Sequence, residues 1–153
     1  MKLIKIALFL LLINNISFAQ EITLPNEVRF NIGDNAKWAK PEFDDSHWGT
    51  AALGKSFQIL DVYAWYRIKI IVPAELKKMS EKRNALLLNL GKIDDVDQTF
   101  FNGKLVGSTG GFPPDFVTQW QKSRTYTIPL DAVKWGKENV IAVRIFSNIG
   151  GAG

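Results

Sequence analysis

The chain has 153 residues, 46% hydrophobic and 22% charged, with 19 basic against 15 acidic side chains and no cysteine. That balance reads as one soluble domain able to bury its own core, not a disordered tail. The absence of thiols excludes a disulfide scaffold, a cysteine nucleophile, cysteine-ligated zinc and a lipidated bacterial N-terminus.

The first segment reads as an address. Lys2 and Lys5 precede the unbroken apolar run 6–13, and Ser17-Phe18-Ala19 places small residues where a signal peptidase reads them. The expected cleavage lies between Ala19 and Gln20, giving a signal peptide over 1–19 and a mature domain over 20–153. An apolar run this short cannot span a bilayer, which takes about 20 residues. The mature product is therefore expected to be secreted or periplasmic, with no membrane attachment. Without the two leader lysines the net charge falls from +4 to +2, too little for an electrostatic footprint on nucleic acid.

From residue 20 the sequence breaks into short runs of period two, separated by turn residues. Glu27-Val28-Arg29-Phe30-Asn31-Ile32 alternates and stops at Gly33-Asp34-Asn35. Tyr66, Ile68, Ile70 and Val72 fall on one face of a strand and Trp65, Arg67, Lys69 and Ile71 on the other, until Pro73 ends it. The stretch 85–90 is apolar except for Asn89, the pattern of a strand covered on both faces. Thr99-Phe100-Phe101 runs into Asn102-Gly103, a pair that accepts the positive φ angles of a tight primed turn, and 104–107 supplies the return strand. Residues 124–128 alternate again, and 139–146 form a long β-branched strand. Helix is expected only over 73–82, which has a proline start, and as one turn over 130–135 ending at Gly136. Six or more strands with almost no helix predict an all-β, antiparallel sandwich or barrel.

Two long loops carry aromatics. One covers 33–55 and holds Trp38, Phe43 and Trp48; the other covers 108–119 and includes Gly110-Gly111-Phe112-Pro113-Pro114-Asp115-Phe116. Loops this rich in rings either cap a sandwich or face a ligand. Beyond the last strand, 147–153 is a glycine-rich tail.

Chemistry is sparse. His47 is the only histidine, and none of Ser46, Ser56, Ser80, Ser108, Ser123 or Ser147 sits in a nucleophile elbow, so His47 reads as a solvated turn residue. Calcium needs only oxygen ligands, and Asp94, Asp95 and Asp97 leave a small structural site open. Their spacing departs from the helix-loop-helix calcium pattern, and the alternative is that they bind backbone amides or pair with Arg67, Arg124 or Arg144. Paired carboxylates are too common here to indicate a glycosidase, and no catalytic residue is assigned. What remains is aromatic: five tryptophans and three tyrosines, whose faces stack on the apolar side of a pyranose while Asp, Asn and Arg satisfy its hydroxyls. Most tryptophans in a sandwich plug its ends. Trp38 and Trp120, in polar loops, are the two expected to be exposed.

Several motifs in order carry a resemblance. They are Phe43-Asp44-Asp45-Ser46-x-Trp48, Ala64-Trp65-Tyr66-Arg67, Leu90-Gly91-Lys92-Ile93-Asp94-Asp95-Val96-Asp97 running to Phe101-Asn102-Gly103 and Val106-Gly107, Arg124-x-Tyr126-x-Ile128-Pro129, and Glu138-Asn139-Val140-Ile141-Ala142-Val143-Arg144. Together, over about 26–151, they resemble the sugar-binding jelly-roll domain of glycoside hydrolase family 2, a galactose-binding-domain-like sandwich found in β-galactosidases, β-glucuronidases and sialate acetylesterases. The resemblance implies a non-catalytic accessory module whose partners are an oligo- or polysaccharide and a glycoside hydrolase or esterase catalytic domain absent from this chain. It implies that Asp45 and Trp48 cap the sandwich, and that Arg67, Asp97 and Arg144 join buried pairs. It also implies a further strand after the last arginine strand, so the chain is expected to be a piece of a larger exported hydrolase. Trp38, Phe112, Asp115 and Trp120 are the expected carbohydrate-binding residues. The rival expectation is a structural or protein–protein sandwich with its aromatics buried and no affinity for sugar.

Overall fold

The computed structural model describes residues 22–55 and 61–148. The leader over 1–19, Ser56 and the glycine tail from Gly150 lie outside the described residues. Among the described residues eight strands appear in the order β1 (Glu27–Ile32), β2 (Gly49–Ala52), β3 (Val62–Ile71), β4 (Leu86–Lys92), β5 (Val96–Phe101), β6 (Lys104–Thr109), β7 (Ser123–Ile128) and β8 (Glu138–Ser147), with one helix, α1 (Leu76–Arg83). Short 3-10 turns cover Ala36–Ala39 and Leu130–Ala132. No helix among the described residues is long and apolar enough to cross a membrane.

Every pairing is antiparallel. Six strands form one sheet in the order β2-β1-β3-β8-β5-β6, and β4 with β7 forms a second, two-stranded layer. The chain is an all-β sandwich, as the alternation of its strands requires. The long central pair sets the register: Trp65 lies opposite Arg144, Tyr66 opposite Val143 and Arg67 opposite Ala142. Strand β5 continues it on the far side of β8, with Gln98 opposite Arg144 and Phe100 opposite Ala142. Since side chains alternate, each face of the six-stranded sheet has one set of residues.

The inner face packs Val28, Tyr66, Ile68, Phe101, Ile141, Val143 and Ile145 with Leu88 and Ile128 of the second layer and Leu76 of α1. Fully burying one such side chain is worth roughly 1.5–3 kcal/mol, so this cluster is the main source of stability. Among the described residues no sheet covers the outer face. Trp65, Phe100 and Ala142 pack instead against Trp38, Ala39, Phe43 and Trp48 of the segment after β1.

The Asn102-Gly103 turn forms as expected, with φ of 48° and 83°. Asn102 also ties the hairpin down: its Nδ2 donates to the Ala132 carbonyl at 2.8 Å, and its Oδ1 accepts from the Val140 amide at 2.9 Å. Gly107 serves a close approach. A Cβ there would lie 2.0 Å from the Tyr126 ring of β7, so only glycine lets β6 pass β7.

Three expectations need correction. Strand β2 lies inside what reads as loop 33–55, because Gly49-Thr50-Ala51-Ala52 has no alternation of polar and apolar residues; pairing with β1 and the contact of Ala51 with the core hold it. The stretch 85–90 is not covered on both faces: Leu87 is 63% exposed, since among the described residues no further layer covers the two-stranded sheet. The helix begins at Leu76, three residues after Pro73.

Candidate functional site

Two buried arginines organise the loops. On β3, Arg67 donates from Nε to Asp45 Oδ2 at 2.8 Å, from Nη1 to the carbonyls of Trp38 and Lys40, and from Nη2 to the Phe43 carbonyl. Its side chain is fully buried and that of Asp45 nearly so. One guanidinium thus satisfies four acceptors along the loop from Trp38 to Asp45, and the loop folds flat onto the outer face. Trp38 accordingly packs edge-on to Trp48 at 5.0 Å and to Trp65 at 6.1 Å. It is half-buried in a ring cluster, not the exposed platform its polar neighbours suggest. Asp44 and His47 stay outside in the turn; the Ser46 amide donates to the Asp44 carboxylate and holds it below the usual carboxylate range.

On β7, Arg124 repeats the device. Its Nε donates to Asp97 Oδ1 at 2.9 Å, its Nη1 to the carbonyls of Gln119 and Lys122, and its Nη2 to the Asp95 carbonyl at 3.1 Å. Both side chains of the Arg124–Asp97 pair are fully buried. Asp97 also accepts from Thr99 Oγ1 and from the Tyr126 hydroxyl, which meets Thr109 Oγ1 at 2.7 Å. Burial, reinforced by the Asp97 charge, pushes the Tyr126 hydroxyl up to about 12.

This second hub fixes the ends of loop 110–122 and turns its last residues outward. Gly111 and Val117 exchange backbone hydrogen bonds across the loop. The Thr118 hydroxyl donates to Asp95 Oδ1, the Asn148 amide donates to Asp95 Oδ2 at 2.9 Å, and the Gln119 amide donates to the Asp95 carbonyl. The result is a hollow of about 400 Å³ lined by Asp94, Asp95, Phe116, Thr118, Trp120 and Asn148. Phe116 is held edge-on against Phe146, whereas Trp120 is 51% exposed. A half-exposed indole beside hydroxyl, amide and carboxylate groups in one concavity is the arrangement that a pyranose needs: an apolar face to lie on and polar partners for its hydroxyls. The larger hollow, about 570 Å³ beneath α1 and β4, is lined mainly by core side chains such as Leu76, Leu88, Phe101 and Ile128.

The four residues singled out from sequence do not converge. Only Trp120 lines the 400 Å³ hollow. Phe112 turns back onto the sheet, parallel to Tyr63 at 6.0 Å, with the Arg144 guanidinium 4.3 Å from its ring centre. Asp115 is exposed at the far end of the same loop, outside the hollow, and Trp38 belongs to the other loop. Sequence reasoning missed Thr118 and Asn148. No local pattern marks Asn148: the pairing of β8 with β5, in which Phe146 faces Val96, brings the end of β8 beside Asp94 and Asp95.

Arg144 pairs with Asp34 at the rim, at 2.6 and 2.7 Å, and donates to Gln98. The three aspartates considered for calcium do not converge either, because Asp97 turns inward to Arg124. Among the described residues no group of three or more potential ligands is placed to hold a metal.

No protein-family model matches the chain, and no curated protein matches it. Solved structures do. A glycosyl hydrolase family 2 member from Bacteroides cellulosilyticus superposes with a TM-score of 0.64 at 21% identity, over 84% of this chain and 18% of its own. The β-glucuronidase of Bacteroides uniformis gives 0.61 at 22% identity, over 81% of this chain and 14% of its own. That of Ruminococcus gnavus gives 0.56 at 18% identity, over 81% and 21%.

Proposed function

The fold is thus one that occupies about a fifth or less of several large glycoside hydrolases, and we propose that this chain is a non-catalytic, secreted, carbohydrate-associated module that works beside a glycoside hydrolase or esterase catalytic domain. The observation that carries the binding part is the half-exposed Trp120 in a concavity with Asp94, Asp95, Thr118 and Asn148. A single stacking platform and a few hydroxyl contacts support millimolar affinity, about 4 kcal/mol. Secretion rests on Lys2, Lys5, the apolar run 6–13 and Ser17-Phe18-Ala19, and predicts an exported product that begins at Gln20.

A specific observation favours the rival structural reading: Trp38, Trp48 and Trp65 are packed into one cluster and stabilise the sandwich. Two-dimensional NMR of the purified protein against a panel of oligosaccharides separates the two. Shifts confined to residues 94–95, 116–120 and 148, lost in a folded Trp120→Ala variant, support a binding module. A folded sample with no shifts at millimolar sugar leaves a scaffold that functions only in contact with its catalytic domain.

A further inference from the structure

Across β2, β1 and β3 the outer face carries another hollow, of about 280 Å³. Strand register brings three side chains into a row there, with Thr50 opposite Arg29 and Arg29 opposite Arg67. Side chains alternate along a strand, so Lys69 joins Arg67 on this face while Tyr66 and Ile68 turn to the core. Like charges directly opposite one another destabilise a strand pair unless an anion offsets them. For Arg67 that anion is Asp45, at 2.8 Å, and the other oxygen of the same carboxylate lies 3.5 Å from the Lys69 ammonium. Arg29 makes no salt bridge among the described residues. Its Nη1 donates to the Trp48 carbonyl at 3.1 Å, which holds the half-buried guanidinium in place and leaves its other N–H groups to solvent or a ligand. Glu27 is the one carboxylate among the described lining residues; it is exposed, and it tempers the charge of the hollow without pairing with Arg29.

We propose that this hollow binds a tetrahedral oxyanion, a sulfate or phosphate ester group. The Arg29 fork takes two of its oxygens and the Thr50 hydroxyl donates to a third, while the Lys69 ammonium adds attraction from the side of Asp45. Beside a half-buried guanidinium these forces exceed their value in bulk water. A neutral hydroxyl group brings no charge to the same donors and is held far less. The hollow shares no lining residue with the one at Trp120, so this site stands whether or not that one binds sugar.

The test uses one sugar in three forms on the whole protein: methyl β-galactoside, its 6-sulfate and its 6-phosphate. The Nε–H resonance of Arg29, assigned by its loss in Arg29→Gln, and the backbone amides of 28–30, 49–51 and 67–69 report binding. At least one ester is expected to shift them at millimolar concentration while the neutral sugar does not, and the tighter ester names the oxyanion. In a folded Arg29→Gln protein the amide response should weaken at least ~10-fold, about the worth of one charge-assisted hydrogen bond. Trp120→Ala should leave it unchanged. Should Arg29→Gln fail to fold, Arg29→Lys keeps the charge, loses the fork and should still weaken the ester. Esters that move none of these resonances, that move them no more than the neutral sugar does, or that bind undiminished in a folded Arg29 variant would overturn the proposal. The indole N–H of Trp120 reports the other hollow separately, so the two sites succeed or fail independently.

Discussion

The two aromatic loops have the same anchor and opposite outcomes. In each, a fully buried arginine on a strand pairs with one aspartate and donates to loop carbonyls: Arg67 to Asp45 and to Trp38, Lys40 and Phe43, and Arg124 to Asp97 and to Asp95, Gln119 and Lys122. In the first loop two of the three carbonyls belong to aromatic residues themselves, so Trp38 and Phe43 are drawn down onto the sheet. In the second they belong to Asp95, Gln119 and Lys122, which flank Trp120 and leave its ring outside. An aromatic loop is structural or ligand-facing according to which backbone groups its anchor holds.

The most severe way to break this comparison is to remove the anchors. Arg124→Leu leaves the buried Asp97 without a cation, and Arg67→Leu leaves the buried Asp45 with only the half-exposed Lys69 at 3.5 Å. Each also leaves several buried carbonyls unpaired, and the cost is about 3–5 kcal/mol. That is a large share of the roughly 5–15 kcal/mol that holds a domain folded, so thermal denaturation of both variants should show a steep loss or no folded protein. If Arg124→Leu melts like the parent, the hub beneath Trp120 is not structural.

Truncating the rings separates the loops instead. Trp48→Ala empties a buried site against Trp38 and Phe43 and should cost about 3–5 kcal/mol. Trp120→Ala removes a half-exposed ring and should stay within about 0.5 kcal/mol of the parent, while abolishing the sugar response. Equal destabilisation by the two would erase the distinction between them.

A smaller effect sharpens the second hub. Tyr126→Phe takes a donor from Asp97 and a partner from Thr109, and should cost about 1–3 kcal/mol. The same hydroxyl, buried and facing a carboxylate, stays protonated to about pH 12. An unfolded tyrosine ionises near 10, so the unfolded state releases its proton first and stability falls as pH rises from 10 toward 12. Tyr66, also raised by burial, adds to that fall. In Tyr126→Phe the alkaline loss should be shallower, as read by melting temperature against pH.

The fold was more legible than the site, for physical reasons. Strands with a wet and a dry face announce themselves by alternation, as β1 does, and Asn102-Gly103 marks its turn because few other residues accept φ of 48° and 83°. Strand β2 gave no such sign, since its four small residues carry no alternation and are ordered by pairing with β1 and by the contact of Ala51 with the core. Leu87 misled because an apolar run cannot tell how many layers cover it. Trp120 stands out in a polar stretch and is indeed half-exposed. Trp38 sits in an equally polar stretch, but its burial depends on Arg67, 29 residues away, which no local pattern encodes.

The mildest prediction concerns the link between the loops. Asp34, just after β1, binds the Arg144 guanidinium, which also lies over Phe112 of the second loop. The hydrogen bond from Arg144 holds the Asp34 carboxyl below the usual carboxylate range. Because the folded state favours the ionised form, this contribution is present above the unfolded value near 4 and is lost as pH falls through the lower folded value. The pair is only partly buried, so its worth should not exceed about 1 kcal/mol and should shrink in high salt. Asp34→Asn is expected to lower the melting temperature slightly at pH 7 and to flatten its decline below pH 4. Arg144 keeps Tyr63, Phe112 and Gln98 in that variant, and loop 110–122 keeps its own anchor in Arg124. The Trp120 sugar response should therefore be unchanged; if it weakens, the two loops act as one site joined through Arg144, and the division between a structural and a ligand-facing loop fails.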